Sequence, residues 1–210
     1  MTRLFQYFCG CVCHFGASNF VSVNQISAFE ITMSASTIWP SSRQTPFVTP
    51  SAFIIYLGVS EKLPSLIHHN LLFSEDWRKN FDDIYKDPCL PDEPSLYVCA
   101  PSVTDATVAP YGKENLFVLV PIASDLKMSE EEKEAYSEKV LALMEKEMNL
   151  PGLREKIEYK RLYTVDNFAA DYNAFKGSAL GLAHTIWQTA IFRPNNQSKK
   201  VKGLYYVGAG

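Results

Sequence analysis

Ser95-Leu96-Tyr97-Val98-Cys99 and Asn115-Leu116-Phe117-Val118-Leu119-Val120 decide the architecture of this chain. Both are short apolar runs with β-branched and aromatic residues, which suit a pleated, half-buried surface. The link between them decides how they pair. Residues 104–113 carry Asp105, Pro110 and Gly112, turn formers rather than a helical pattern. A parallel crossover needs a dozen or more residues, usually a helix, so this link argues for a wide hairpin between antiparallel neighbours.

Upstream, Ala52-Phe53-Ile54-Ile55-Tyr56-Leu57 reads as a buried strand closed by Gly58, and His69-Asn70-Leu71-Leu72-Phe73 as another. Ser74 is placed to cap a helix running to Lys86, with Trp77, Phe81, Ile84 and Tyr85 on its apolar face. Downstream, the spacing predicts a helix over 129–149. Ser129 and Glu132 form a capping box, and Tyr136, Val140, Met144 and Met148 make the buried stripe. Glu130, Glu131 and Glu132 sit at the positive end of the helix dipole as a solvated, stabilising face. Residues 157–164 alternate as a half-buried strand, and 165–175 read as a helix capped by Thr164 or Asp166. The fold class expected is therefore α+β: a mostly antiparallel sheet with packed helices.

The two ends read differently. Residues 1–36 carry two charged side chains, Arg3 and Glu30, and residues 34–51 are rich in Ser, Thr and Pro. Residues 1–50 are expected to be a poorly ordered leader or a mis-joined reading frame, since an interfacial anchor would want a basic face. At the other end, Leu204-Tyr205-Tyr206-Val207-Gly208-Ala209-Gly210 reads as a strand entering a glycine turn. Among ten glycines, Gly208 and Gly210 make the one Gly-x-Gly pair. Such a turn serves a dinucleotide cofactor when a helix follows, because bare backbone must approach the pyrophosphate, and it serves equally as a structural strand end.

Composition excludes several functions. With 47% hydrophobic and 20% charged residues and a net charge of −3, nothing recommends a nucleic-acid partner. No apolar run approaches the roughly 20 residues of a membrane span, which leaves peripheral attachment open. Five cysteines, an odd count without a signal-peptide pattern, point to a reducing, intracellular compartment. Cys9, Cys11, Cys13 and His14 cluster without paired zinc spacing and are read as incidental thiols. No metal site is expected. His68 and His69 adjoin a strand, whose successive side chains face opposite ways, so they are not expected to chelate one ion. His184 is read as a packing residue, as are Trp187 and Phe192 near a cavity. Gly177 and Gly181 are read as permitting a close backbone approach on a helix. No Gly-x-Ser-x-Gly elbow is present, Cys89 and Cys99 have no reason to be activated, and no catalytic residue is assigned.

From Ser51 to Gly210 the chain resembles phytoene-desaturase-type carotenoid oxidoreductases, in the flavin-dependent amine-oxidase-like superfamily. The resemblance rests on ordered blocks. They include His68-His69-Asn70-Leu71, Phe81-Asp82-Asp83-Ile84-Tyr85, Leu90-Pro91-Asp92-Glu93-Pro94-Ser95-Leu96-Tyr97-Val98 and Ala109-Pro110-Tyr111-Gly112-Lys113-Glu114-Asn115. Further on come Lys176-Gly177-Ser178-Ala179-Leu180-Gly181-Leu182, Phe192-Arg193-Pro194 and Leu204 to Gly210.

The resemblance implies FAD as cofactor, a long apolar polyene isoprenoid as substrate, and a peripheral membrane or cytoplasmic location. It implies that residues 51–175 form a substrate-binding α+β region. Residues 176–210 would return to an incomplete Rossmann-like FAD-binding domain, with Val207, Gly208, Ala209 and Gly210 contacting the cofactor. The family's opening Gly-x-Gly-x-x-Gly and its closing Thr-His-Pro-Gly-type segment have no counterpart here, so a partial desaturase without turnover of its own is expected. The alternatives are a non-catalytic apolar-ligand-binding or interaction module, and a non-functional truncated product.

Overall fold

The structure is a computed structural model that describes residues 47–193 and 195–206. The cysteine cluster at 9–14 and the glycine turn at 207–210 lie outside the described residues. Five strands make one sheet: β1 (Ser51–Val59), β2 (His69–Leu72), β3 (Leu96–Cys99), β4 (Glu114–Ile122) and β5 (Ile157–Tyr163). Their order is β2-β3-β4-β1-β5, and every pairing is antiparallel. The link from β3 to β4 is the wide connection its turn residues predict. It is pinned where Ser102 donates to the buried carboxylate of Glu114 and accepts from the Asn115 amide. Among the described residues, three α-helices accompany the sheet in an α+β fold: α1 (Trp77–Tyr85), α2 (Glu130–Glu147) and α3 (Val165–Tyr172).

β1 lies inside the sheet and is covered on both faces, which explains its unbroken apolar run. Phe53, Ile55, Leu57 and Val59 face the core with Leu96, Val98, Leu116, Val118, Val120 and Ile122. α2 closes this core with Tyr136, Val140, Leu141 and Met144, and the Tyr136 ring meets Phe53 edge-on at 5.1 Å. Each fully buried Leu, Ile or Phe side chain here contributes about 1.5–3 kcal/mol. Gly58 does not close β1: the strand runs on to Val59, and the register against β5 shifts between these two residues.

The capping box of α2 forms as read, Ser129 accepting from the Glu132 amide and Glu132 from the Ser129 amide. α1 starts later than expected. Asp76 is its cap, accepting from the Lys79 amide at 2.9 Å, while the Ser74 amide is tied to Ser95. Its burial is also turned. Of the apolar face expected, only Ile84 is buried, and Trp77, Phe81 and Tyr85 lie about half exposed, ring beside ring. Spacing tells which side of a helix is apolar, not which side another element covers.

After α3 the chain folds back on the start of β1. Thr49 donates its amide to Gly181, Val48 bridges Leu182, and the Ser51 hydroxyl donates to the Gly177 carbonyl at 2.6 Å. Gly177 and Gly181 both have positive φ and do not sit on an α-helix. The close approach at Gly177 is real, but it is made by a turn. His184 is exposed rather than packed, and the Trp187 and Phe192 rings meet at the surface, tilted 59° to each other with centroids 5.5 Å apart. In place of the terminal strand, the described part of Leu204–Tyr206 makes one isolated bridge, Gln197 to Tyr205.

Candidate functional site

Pairing turns the second face of the sheet into a surface whose rows follow from the strand register. Residues directly opposite in antiparallel strands point to the same side. One row therefore runs His69, Cys99, Phe117, Tyr56, Arg161 across β2-β3-β4-β1-β5, and the next runs Leu71, Tyr97, Leu119, Ile54, Tyr163. The rows lie about 7 Å apart along the strands, and the five strands span about 19 Å. Among the described residues, the β1–β5 end is the closed one: Ile54 and Tyr163 are buried, with Phe168 of α3 and Ala179 packed against them. Toward β2 the face opens, with Tyr97, Cys99, Phe117 and Leu119 half-buried and Leu71 exposed.

The face is aromatic and, apart from its ends, uncharged. Tyr56 and Phe117 meet at 5.6 Å, and Tyr97 meets Phe117 at 6.2 Å. Burial pushes the Tyr97 phenol up to about 12, reinforced by a hydrogen bond to Cys99. Burial also raises Tyr56, and raises Tyr163 further with the help of the Asp171 carboxylate, which accepts its hydroxyl at 2.9 Å. All three stay neutral at ordinary pH. Such a surface can cover a long apolar molecule, with few polar groups to orient it.

His68 and His69 do come together. His68 sits at a bend just before β2, where strand alternation has not begun, and its ring centroid lies 4.2 Å from that of His69. Cys99 is the residue directly opposite His69. Neither the rows nor this cluster follows from the sequence alone, because both depend on strand register; the alternating aromatics of β3 and β4 are the available signal.

The described residues do not make a cradle for a dinucleotide. A diphosphate needs open backbone amides at a helix start. α2 begins with three glutamates and a closed capping box, α1 is capped by Asp76, and α3 carries Asp166 in its first turn. These carboxylates would repel it. Val207, Gly208, Ala209 and Gly210, the residues assigned to the cofactor, fall outside the described range.

The chain is 49% identical over 160 residues to a carotenoid 3,4-desaturase of Haloarcula japonica, covering 76% of this chain and 32% of that protein. It belongs to the carotenoid-desaturase-type family. It is 41% identical over 165 residues to a zeta-carotene-forming phytoene desaturase of Myxococcus xanthus, covering 77% and 31%. To a lycopene-forming phytoene desaturase of a Paracoccus species it is 33% identical over 164 residues, covering 76% and 32%. The chain spans about a third of the length of the curated relatives it matches. No protein-family model matches it.

Proposed function

We propose that this chain is the substrate-side part of a carotenoid desaturase, and that its outer sheet face forms one wall of the site for a long polyene. The two-row aromatic face, uncharged between its ends, carries this reading. A hydrocarbon chain gains affinity there by removing apolar area from water at about 25 cal/mol per Å². Desaturation removes two hydrogens from a carbon–carbon bond and requires a two-electron acceptor. Bound in the complete enzyme, FAD would supply that acceptor, taking the equivalent of a hydride while the second hydrogen leaves as a proton to solvent, and Val207–Gly210 would contact it in this chain. The side chains described here bind and exclude water; none acts as a nucleophile or base.

A peripheral membrane setting suits an apolar substrate, and the exposed stripe of Trp77, Phe81 and Tyr85 supports it. Among the described residues no helix is long and apolar enough to cross a membrane. The small negative net charge supports a partner other than nucleic acid.

The test is a transplant. Residues 51–210 replace the matching third of the Haloarcula japonica relative, and polyene conversion is followed by the red shift that each added conjugated double bond produces. The chimera is expected to desaturate. A folded, flavin-loaded chimera that converts nothing would contradict the reading and favour a non-catalytic apolar-ligand module.

A further inference from the structure

We propose that His68, His69 and Cys99 form a three-ligand metal site of the zinc class at the β2–β3 edge of the sheet. One candidate donor atom from each residue lies within 4.8 Å of the other two. In a tetrahedral zinc site with bonds of about 2.0–2.3 Å, donor atoms stand roughly 3.3–3.7 Å apart, so closing on an ion needs about 1 Å of side-chain movement.

The backbone under the cluster is fixed from several directions. The His68 carbonyl accepts from the Ala100 amide at 2.8 Å, and His69 pairs with Cys99 across the ladder. Asn70 ties the same stretch to the Ile67 and Val98 carbonyls. The rings are oriented as well. His68 Nδ1 is 2.6 Å from the Thr104 hydroxyl and His69 Nδ1 is 2.7 Å from the Tyr97 hydroxyl. Metal-binding histidines are held by hydrogen bonds of this kind on the second nitrogen; with each Nδ1 protonated and donating to its hydroxyl, Nε2 of each ring is left for the ion.

The donor set selects the metal. Two imidazoles and a thiol suit zinc or copper and are poor ligands for magnesium or calcium. As the sulfur–metal bond forms, the thiol gives its proton to solvent, so the site gains one negative charge against the ion's two positive ones. Three protein ligands leave a fourth position for water. The cluster is half-buried at Cys99 and His68 and exposed at His69, so an ion can reach it from solvent. Bound metal would clip the segment before β2 to β3, at an edge held otherwise by a four-residue strand pair.

Cobalt(II) is the probe, because a thiolate ligand gives it an intense near-ultraviolet charge-transfer band. The purified 210-residue chain carrying Cys9→Ser, Cys11→Ser, Cys13→Ser and Cys89→Ser keeps Cys99 as its one thiol. It is expected to show the band with one cobalt per chain, displaced by zinc. Adding Cys99→Ser should abolish the band, and His69→Ala should weaken binding at least 10-fold, with circular dichroism confirming that each variant is folded. Zinc should also raise the melting temperature of the parent but not of the His69→Ala variant. The proposal is overturned if the one-thiol chain gives no band at millimolar cobalt, or if the folded Cys99→Ser variant keeps it.

Discussion

Gly177 sits so close to Val165 that a Cβ there would lie 2.3 Å from the Val165 carbonyl oxygen, and its φ is +60°. Gly112 has a similar φ of +79° but open space around it. Both alanine substitutions carry the left-handed backbone cost of about 1–2 kcal/mol, and only the first adds a backbone clash. Gly177→Ala should therefore cost more than about 3 kcal/mol in urea denaturation, and Gly112→Ala about 1 kcal/mol. Lys133 offers a second residue-scale test. Its ammonium, largely buried, joins Glu130 at 2.6 Å to Asp166 at 3.0 Å, linking the starts of α2 and α3. The Glu130 hydrogen bond is the main reason its pKa is raised; burial opposes it and Asp166 adds to it. A raised folded pKa stabilises fully below the unfolded lysine value of about 10.4, and that stability is lost as pH rises through the folded value above it. With both carboxylates largely exposed, Lys133→Met should cost about 1 kcal/mol near pH 8. That difference should shrink above about pH 10.4 when the two proteins are melted side by side. The close approach at Gly177 was legible in the sequence as a possibility, because glycine permits it. The partner was not, because Val165 lies on a different element.

Neighbouring residues of β4 separate core from site. Val118 is fully buried in the core, whereas Phe117 lies half-buried on the outer face between Tyr56 and Tyr97. Val118→Ser should cost about 2–4 kcal/mol, through lost packing and a hydroxyl buried without an assured partner. Phe117→Ser should cost about 1 kcal/mol, because part of that ring already meets water. Chemical denaturation of the two variants decides the matter, and equal losses would mean that the face is core. The elements themselves read well from sequence where the cause is local. The Ser129–Glu132 box set the start of α2, and the turn residues between β3 and β4 set the antiparallel pairing. Where the cause is tertiary, the reading failed. The aromatic side of α1 looked like a core face, yet Asn80, Asp83 and Ile84 are the residues that turn inward. The register that lines up Tyr56, Phe117 and Cys99 depends on pairings between strands far apart in sequence, which periodicity within one strand does not contain.

Across the whole molecule, the described residues present an open aromatic sheet face, and Val207–Gly210, proposed to contact FAD, lie outside them. Residues 180–206 expose Leu180, Ile186, Trp187, Ile191 and Val201, a large apolar surface for a chain that spans about a third of its relatives. The purified chain should take up no stoichiometric flavin; equilibrium dialysis against FAD checks this, and tight one-to-one binding would refute it. The resemblance blocks made the family legible. The wall was not, because it exists only once five strands are in register. The most direct measurement uses the desaturase chimera carrying Phe117→Asp and Leu119→Asp, assayed for polyene conversion and flavin content together. We expect conversion to fall at least 10-fold with flavin unchanged, since two carboxylates would stand where the polyene lies. Unchanged conversion in a flavin-loaded double variant would contradict the account and place the polyene elsewhere.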